Sequence, residues 1–206
     1  HAICIFVLQK EVNVEKRIRI LVAPLDWGIG HAARCVPIIR ELLRRNVEVI
    51  IGADRHPLAL LQNEFPDLEF FKFPGYDISY PSQTESMAAR MLFQIPKILY
   101  KIKKENRQLQ YLIRKHRINA VISDNRYGLF STLVPSVFIT HQIRVKSAFL
   151  EKWIYRLNVQ LIHRFKECWI PDFKDEENLS GELSHGIPLP KNAKFIGPLS
   201  RFATSP

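Results

Sequence analysis

Short apolar runs alternate with segments of helical period along most of the chain. Residues 19–25 (RILVAPL) are apolar with turn chemistry behind them, the pattern of a strand buried on both faces of a parallel sheet. Residues 28–45 follow, with Val36, Ile39, Leu42 and Leu43 at the spacing of one helix face. Residues 47–53 (VEVIIGA) predict a second strand, 57–63 a short helix, and 68–73 a third strand closed by Pro74 and Gly75. A polar, aromatic loop is expected over 75–85. Beyond it Met91, Ile95, Ile98, Ile102, Leu109 and Leu112 recur at three and four, which predicts an amphipathic helix broken or kinked at Pro96. Residues 119–123 (NAVIS), 136–140 (SVFIT) and 168–171 predict strands, 146–165 a helix, 172–192 a loop and 194–196 a last strand. Strand and helix in alternation define an α/β fold, a Rossmann-like doubly wound parallel sheet covered on both faces. Residues 1–16 do not fit the pattern and are read as a tail or fragment boundary, with 17–196 as the folded domain. In such sheets ligands bind beyond the carboxyl ends of the strands, where strand order switches. The residues just after each strand are therefore the ones to search.

Composition narrows the class. The 206 residues are 47% hydrophobic and 24% charged, a globular balance with room for one domain. The longest apolar candidate for a span, residues 2–8, is seven residues, against the ~18 a membrane helix needs. It has no basic residue before it and no small-residue cleavage site after it, so it is not read as a signal peptide. Cys4, Cys35 and Cys168 are odd in number and scattered, which suits neither a disulfide framework nor a zinc site and fits a reducing compartment. No metal ligand set is expected.

Charge adds a partner. Thirty Lys and Arg face twenty Asp and Glu, a formal +10, which favours nucleic acid, acidic lipid or a phosphorylated small molecule unless it serves solubility alone. Residues 86–118 carry nine basic residues and one acid, Glu105, so this stretch holds most of the excess. On a helix, Lys97, Lys101, Lys104, Tyr111 and Lys115 form one stripe with Lys103, Arg107 and Arg114 beside it, opposite the apolar face. Two readings stand: a solvated surface helix, or a face for an anionic membrane in which Lys97, Lys101, Lys104 and Arg107 meet the lipid. No recognised motif supports nucleic acid.

Chemistry concentrates in the turn after the first strand, Asp26-Trp27-Gly28-Ile29-Gly30-His31-Ala32-Ala33. Glycines there allow close backbone approach, and the helix start favours an anion. Gly28, Gly30 and Ala33 formally match the dinucleotide fingerprint, with Asp54 as the ribose-binding acid, and so keep a nucleotide-dependent oxidoreductase open. The turn could equally serve only to tighten strand against helix. His31, on the first turn of the helix, is placed to act as a general base, and Asp124, ending the strand NAVIS, is the carboxylate expected to orient it. The alternatives are a capping or packing ring, and a turn carboxylate in Asp124-Asn125-Arg126. Asn125 and Arg126 are grouped with the substrate-binding candidates, as are His141 and Gln142 after SVFIT.

The run RILVAPLDWGIGHAARCVPIIREL resembles the opening of GT-B glycosyltransferases of the lipid-I N-acetylglucosaminyltransferase-like type (glycosyltransferase family 28-like). VISDNRYGL, PSVFITHQ, CWIPD, NLSGELSH and FIGPLSRF resemble segments of bacterial glycosyltransferases of the same type, so the similarity covers residues 17–202. Ala33 departs from the pattern, which has Thr there. The resemblance implies the N-terminal, acceptor-binding half of an inverting enzyme, with residues 197–206 starting the interdomain linker. It implies a nucleotide-sugar co-substrate, UDP-linked, rather than a resident cofactor, and a second Rossmann-like domain to hold it. It implies His31 as base, Gly28 and Gly30 as backbone donors to a phosphate, and a lipid-linked acceptor met at the cytoplasmic face of a membrane. A non-catalytic acceptor-binding subunit of a split transferase is the alternative.

Overall fold

The computed structural model describes residues 17–73, 87–144, 151–175 and 178–202, with side chains from residue 95 onward in the long third helix. The expected tail, the loop over 75–85, the Met91 side chain, and the first turn of the helix expected from 146 lie outside the described residues. The elements run β1 (Arg19–Pro24), α1 (Ile29–Arg44), β2 (Glu48–Ala53), α2 (Arg55–Glu64), β3 (Glu69–Lys72), α3 (Met87–His116), β4 (Ala120–Asp124), β5 (Ser136–Ile139), α4 (Glu151–Ile162), β6 (Glu167–Ile170) and β7 (Ala193–Phe195). Among the described residues every expected strand and helix is present within a few residues of its expected bounds.

The seven strands form one sheet in the order β3-β2-β1-β4-β5-β6-β7, and every pair is parallel. The chain builds outward from β1 to β3 and then returns to β1's other side with β4. The order therefore reverses between β1 and β4, and the crevice of such a fold opens there.

Strand side chains alternate between two cores. Ile20 and Val22 pack with Val36, Ile39 and Leu42 of α1 on one face. Leu21 and Ala23 pack with Leu109, Leu112 and Ile113 of α3 on the other. This period of two explains why β1 reads as a continuous apolar run: both faces are covered, and Ile20 to Ala23 are fully buried. Burying each such Ile, Leu or Val contributes roughly 1.5–3 kcal/mol.

Of the two outcomes expected at Pro96, a break or a kink, the break does not occur: α3 runs through it as a single helix. A proline removes one backbone donor, but thirty residues of helix with an apolar face on the sheet supply enough other contacts to carry it.

Candidate functional site

β1 and β4 lie side by side with Pro24 level with Asp124, and the Leu25 N–H donates to the Asp124 carbonyl at 2.9 Å. Both strands thus end at the same height at the switch point. Asn125 adopts the left-handed region (φ 59°), which turns the chain away at once, and its N–H donates to the Ile139 carbonyl at 3.0 Å. From the end of β1 the chain enters α1 through Gly28, so that His31 sits on the first turn and Arg34 one turn later on the same face.

These residues converge. His31 Nδ1 lies 2.9 Å from Asp124 Oδ1 and 2.6 Å from Arg34 Nη2. Arg34 donates from Nε to Asp124 Oδ2 and from Nη2 to Oδ1, a two-pronged grip on a fully buried carboxylate. Its Nη1 lies 2.9 Å from His141 Nδ1. Cys35 Sγ completes the ring of contacts, 3.8 Å from Asp124 Oδ2.

The electrostatics follow from burial and pairing. Burial alone would raise the Asp124 carboxyl, but the Arg34 guanidinium and then His31 outweigh it and hold the group below the usual carboxylate range. Burial likewise opposes the charge on Arg34, and Asp124 overrides it, so the guanidinium is held charged more firmly than usual. His141 is pushed down by burial and by Arg34, which keeps the ring neutral at pH 7. Burial, reinforced by Asp124, drives the Cys35 thiol well up, which removes it as a nucleophile.

A neutral His141 accepting from Arg34 at Nδ1 presents Nε2–H as a donor. His31 is different, because two partners share its Nδ1. With Nδ1–H donated to Asp124, Nε2 is an acceptor. With Nδ1 accepting from Arg34, Nε2 carries the hydrogen. With Nδ1–H held on Asp124, Nε2 offers its lone pair to a proton while Nδ1 keeps its partner. Its side chain is 17% exposed, so it reaches the surface at the sheet edge.

The other candidates divide. A Cβ at Gly28 or Gly30 would meet nothing within 4 Å, so neither glycine is there to let strand and helix pack. Gln142 is exposed, its N–H held by Thr140 Oγ1 at 3.0 Å. Arg126 is turned into the core instead of toward solvent. It is fully buried and its Nε donates to Glu105 Oε1 of α3 at 2.7 Å. Its Nη1 donates to the Phe73 carbonyl at 3.1 Å, and the guanidinium lies 4.9 Å from the Phe73 ring centre. Arg126 thus fastens α3 to the end of β4. Gly128 belongs to the same joint, since a Cβ there would fall 2.7 Å from the Ile102 carbonyl oxygen. Asp54 accepts from the Arg55 N–H and caps α2. On α3, Lys97, Lys104 and Arg107 are exposed and Lys101 is half-buried, while Ile102, Leu109 and Leu112 face the core.

Sequence reasoning missed Arg34, although its place three residues after His31 was a usable signal. It also missed a polar knot beside β6. Asp172 accepts from the N–H groups of Phe173, Leu179 and Ser180 and from the Ser180 hydroxyl, while Ser184 and His185 close the cluster. Burial opposes this anion, but the donors win and hold its carboxyl at about 2. The knot pins the 178–185 loop to the sheet edge, where the Leu183 carbonyl accepts from the N–H groups of Ile143 and Arg144.

No family model and no curated protein matches the sequence. Solved structures do. The spinosyn rhamnosyltransferase SpnG matches with a TM-score of 0.51 and 17% identity over 75% of this chain and 45% of its own. MurG of Acinetobacter baumannii matches with 0.49 and 14% over 80% of this chain and 44% of its own. A UDP-N-acetylglucosamine 2-epimerase gives 0.46 and 12% over 76% and 42%. The chain has the Rossmann-like α/β fold of the GT-B glycosyltransferases. It spans less than half the length of each of these structures.

Proposed function

We propose that this chain is the acceptor-side half of an inverting glycosyltransferase, and that His31 takes the proton of the acceptor hydroxyl. The observation that carries the proposal is the cluster of His31, Arg34 and Asp124 at the switch point, where one ring nitrogen is oriented by a buried ion pair and the other is free to exchange a proton. In the reaction the acceptor oxygen attacks the anomeric carbon of the nucleotide-sugar as its proton passes to His31 Nε2. The bond from that carbon to the nucleotide diphosphate breaks, and the diphosphate, UDP on this reading, leaves with the electron pair. Asp124 and Arg34 act through His31 as positioning residues. His141 contributes a neutral N–H donor. The reading requires no resident cofactor, and it assigns the donor site to a second Rossmann-like domain outside these 206 residues, on the same or another chain. The exposed Lys97, Lys104 and Arg107, with Lys101, would hold the protein against the anionic cytoplasmic face of a membrane that carries a lipid-linked acceptor. Among the described residues no helix is long and apolar enough to cross a membrane.

The test is turnover of a UDP-sugar panel. The chain alone should show none, because positioning both reactants is a large part of such catalysis. Joined to its donor-binding half, it should turn over, and His31→Ala should lower the rate by about 10²–10⁴-fold with the fold intact. Turnover by the chain alone, or an undiminished His31→Ala enzyme, overturns the proposal.

A further inference from the structure

The connection that leaves β5 is held in place by side chains far from it in sequence. Residues 140–144 lie in no helix or strand, yet the backbone of 142–144 is gripped at both its carbonyls and its N–H groups. Asn158, buried on α4, donates from Nδ2 to the Gln142 carbonyl at 3.2 Å and to the Ile143 carbonyl at 2.8 Å. The N–H groups of Ile143 and Arg144 donate at 3.0 and 2.9 Å to the Leu183 carbonyl, on the loop that Asp172 pins. The Ile143 side chain is fully buried between these two anchors in sequence.

Asn158 is itself oriented. Its Oδ1 accepts from the Tyr127 hydroxyl at 2.8 Å, and burial pushes that phenol well up, so it remains a donor. A flipped amide would set its oxygen against two carbonyls, so the assignment is fixed by the partners. Tyr127 stands three residues past Asp124, in the connection that leaves β4. One amide thus ties the connection after β4 to the connection after β5. On the buried face of α4 its neighbours are Leu161 and Ile162, where an amide is costly unless these bonds are made. The residue just before the gripped backbone is His141, whose Nδ1 lies 2.9 Å from Arg34 Nη1. A displacement of about 0.5 Å would take that contact beyond ordinary hydrogen-bond range. Arg34 would then keep its bonds to Asp124 and His31 without the partner that fixes its third nitrogen.

We propose that Asn158 is a positioning residue: by clamping the Gln142 and Ile143 carbonyls it sets the His141 ring against Arg34, and through Arg34 it steadies the Asp124–His31 pair. The proposal rests on the reading of His31 as the base and adds a residue that acts through His141 and Arg34.

The experiment follows the histidine ring nitrogens of the isotope-labelled 206-residue chain by NMR across pH. In the parent, His141 should carry its hydrogen on Nε2 and titrate below a free histidine, as burial and the Arg34 charge require. Asn158→Leu removes both donors with little change of shape. His141 should then lose its single tautomer, and its titration should rise towards that of a free histidine. Asn158→Ser keeps one donor and should move His141 the same way; it decides the question if the leucine variant does not fold. Ile162→Val trims the same buried face of α4 without touching these bonds, so it should lower the Tm and leave His141 unmoved. In the enzyme joined to its donor-binding half, Asn158→Leu should lower kcat about 10–100-fold, the scale of a misplacement near 1 Å. An unmoved His141 overturns this proposal and leaves the reading of His31 standing, as does a moved His141 with kcat unchanged. An equal movement in Ile162→Val marks general loosening and also overturns it. An undiminished His31→Ala enzyme overturns the reading of His31 and this proposal with it.

Discussion

Replacing Arg34 with Met should cost this protein about 3–5 kcal/mol, the penalty for stranding one partner of a buried ion pair. The guanidinium is the main partner of a carboxylate with no exposure, and it also reaches His31 and His141. Set against the ~5–15 kcal/mol that stabilises an ordinary domain, the loss is large. For a chain of this size it corresponds to a Tm lower by about 6–20 °C. The pH dependence separates a charge effect from lost packing. In the parent, the folded Asp124 carboxyl lies below its unfolded value, so its contribution is present above that value and is lost as pH falls through the folded one. In Arg34→Met, burial is opposed only by His31 and the folded value rises, so acid relieves the variant. The difference between parent and variant should be widest at pH 7 and narrow towards pH 4. Urea denaturation across that range measures it, and Arg34→Met/Asp124→Asn should recover part of the loss because the stranded charge is gone. A loss below about 1 kcal/mol at pH 7, or one that does not change with pH, would refute the reasoning.

Three other perturbations test separate parts of the molecule. Gly128→Ala should destabilise by about 1–3 kcal/mol, because the new methyl group meets the Ile102 carbonyl and the Glu105 side chain; a neutral urea midpoint would mean that α3 can give way. Asp172, held at about 2 when folded against about 3.9 unfolded, should contribute about 2 kcal/mol above pH 4 and lose it as pH falls from 4 to 2. Asp172→Asn should accordingly be less stable than the parent at pH 6 and close the gap by pH 2; a gap that stays constant would count against the knot. The basic face of α3 should carry the chain down with anionic vesicles at low salt, at roughly 1 kcal/mol per basic residue, and Lys97→Glu/Lys104→Glu/Arg107→Glu should abolish this. Equal sedimentation with neutral vesicles, or a variant that still binds, would remove the membrane face.

The sequence by itself determined the layered α/β architecture. β1 is apolar at successive positions because both faces are covered, and α1 shows one apolar stripe because only one side meets the sheet. These are local periodicities, and they survive whatever the rest of the chain does. The Gly-His turn was legible for the same reason, since the consecutive residues Gly28 to His31 carry it. Pro96 was a local signal that tertiary packing overrode, because the face of α3 that meets the sheet outweighs one missing donor.

What only the tertiary structure decided is which buried charges meet. Asp124 lies ninety residues from Arg34 in sequence, and they touch because β4 returns to the side of β1 opposite β2. Arg126, two residues past Asp124, could have faced the same edge. The turn at Asn125 and the close approach at Gly128 send it under α3 to Glu105 instead. Asp26 reads in sequence as an ordinary turn residue, and only the structure reveals that its Oδ1 is buried without a hydrogen-bond partner. Periodicity is written residue by residue, whereas the pairing of buried charges depends on strand order, and strand order is settled by the packing of the whole sheet.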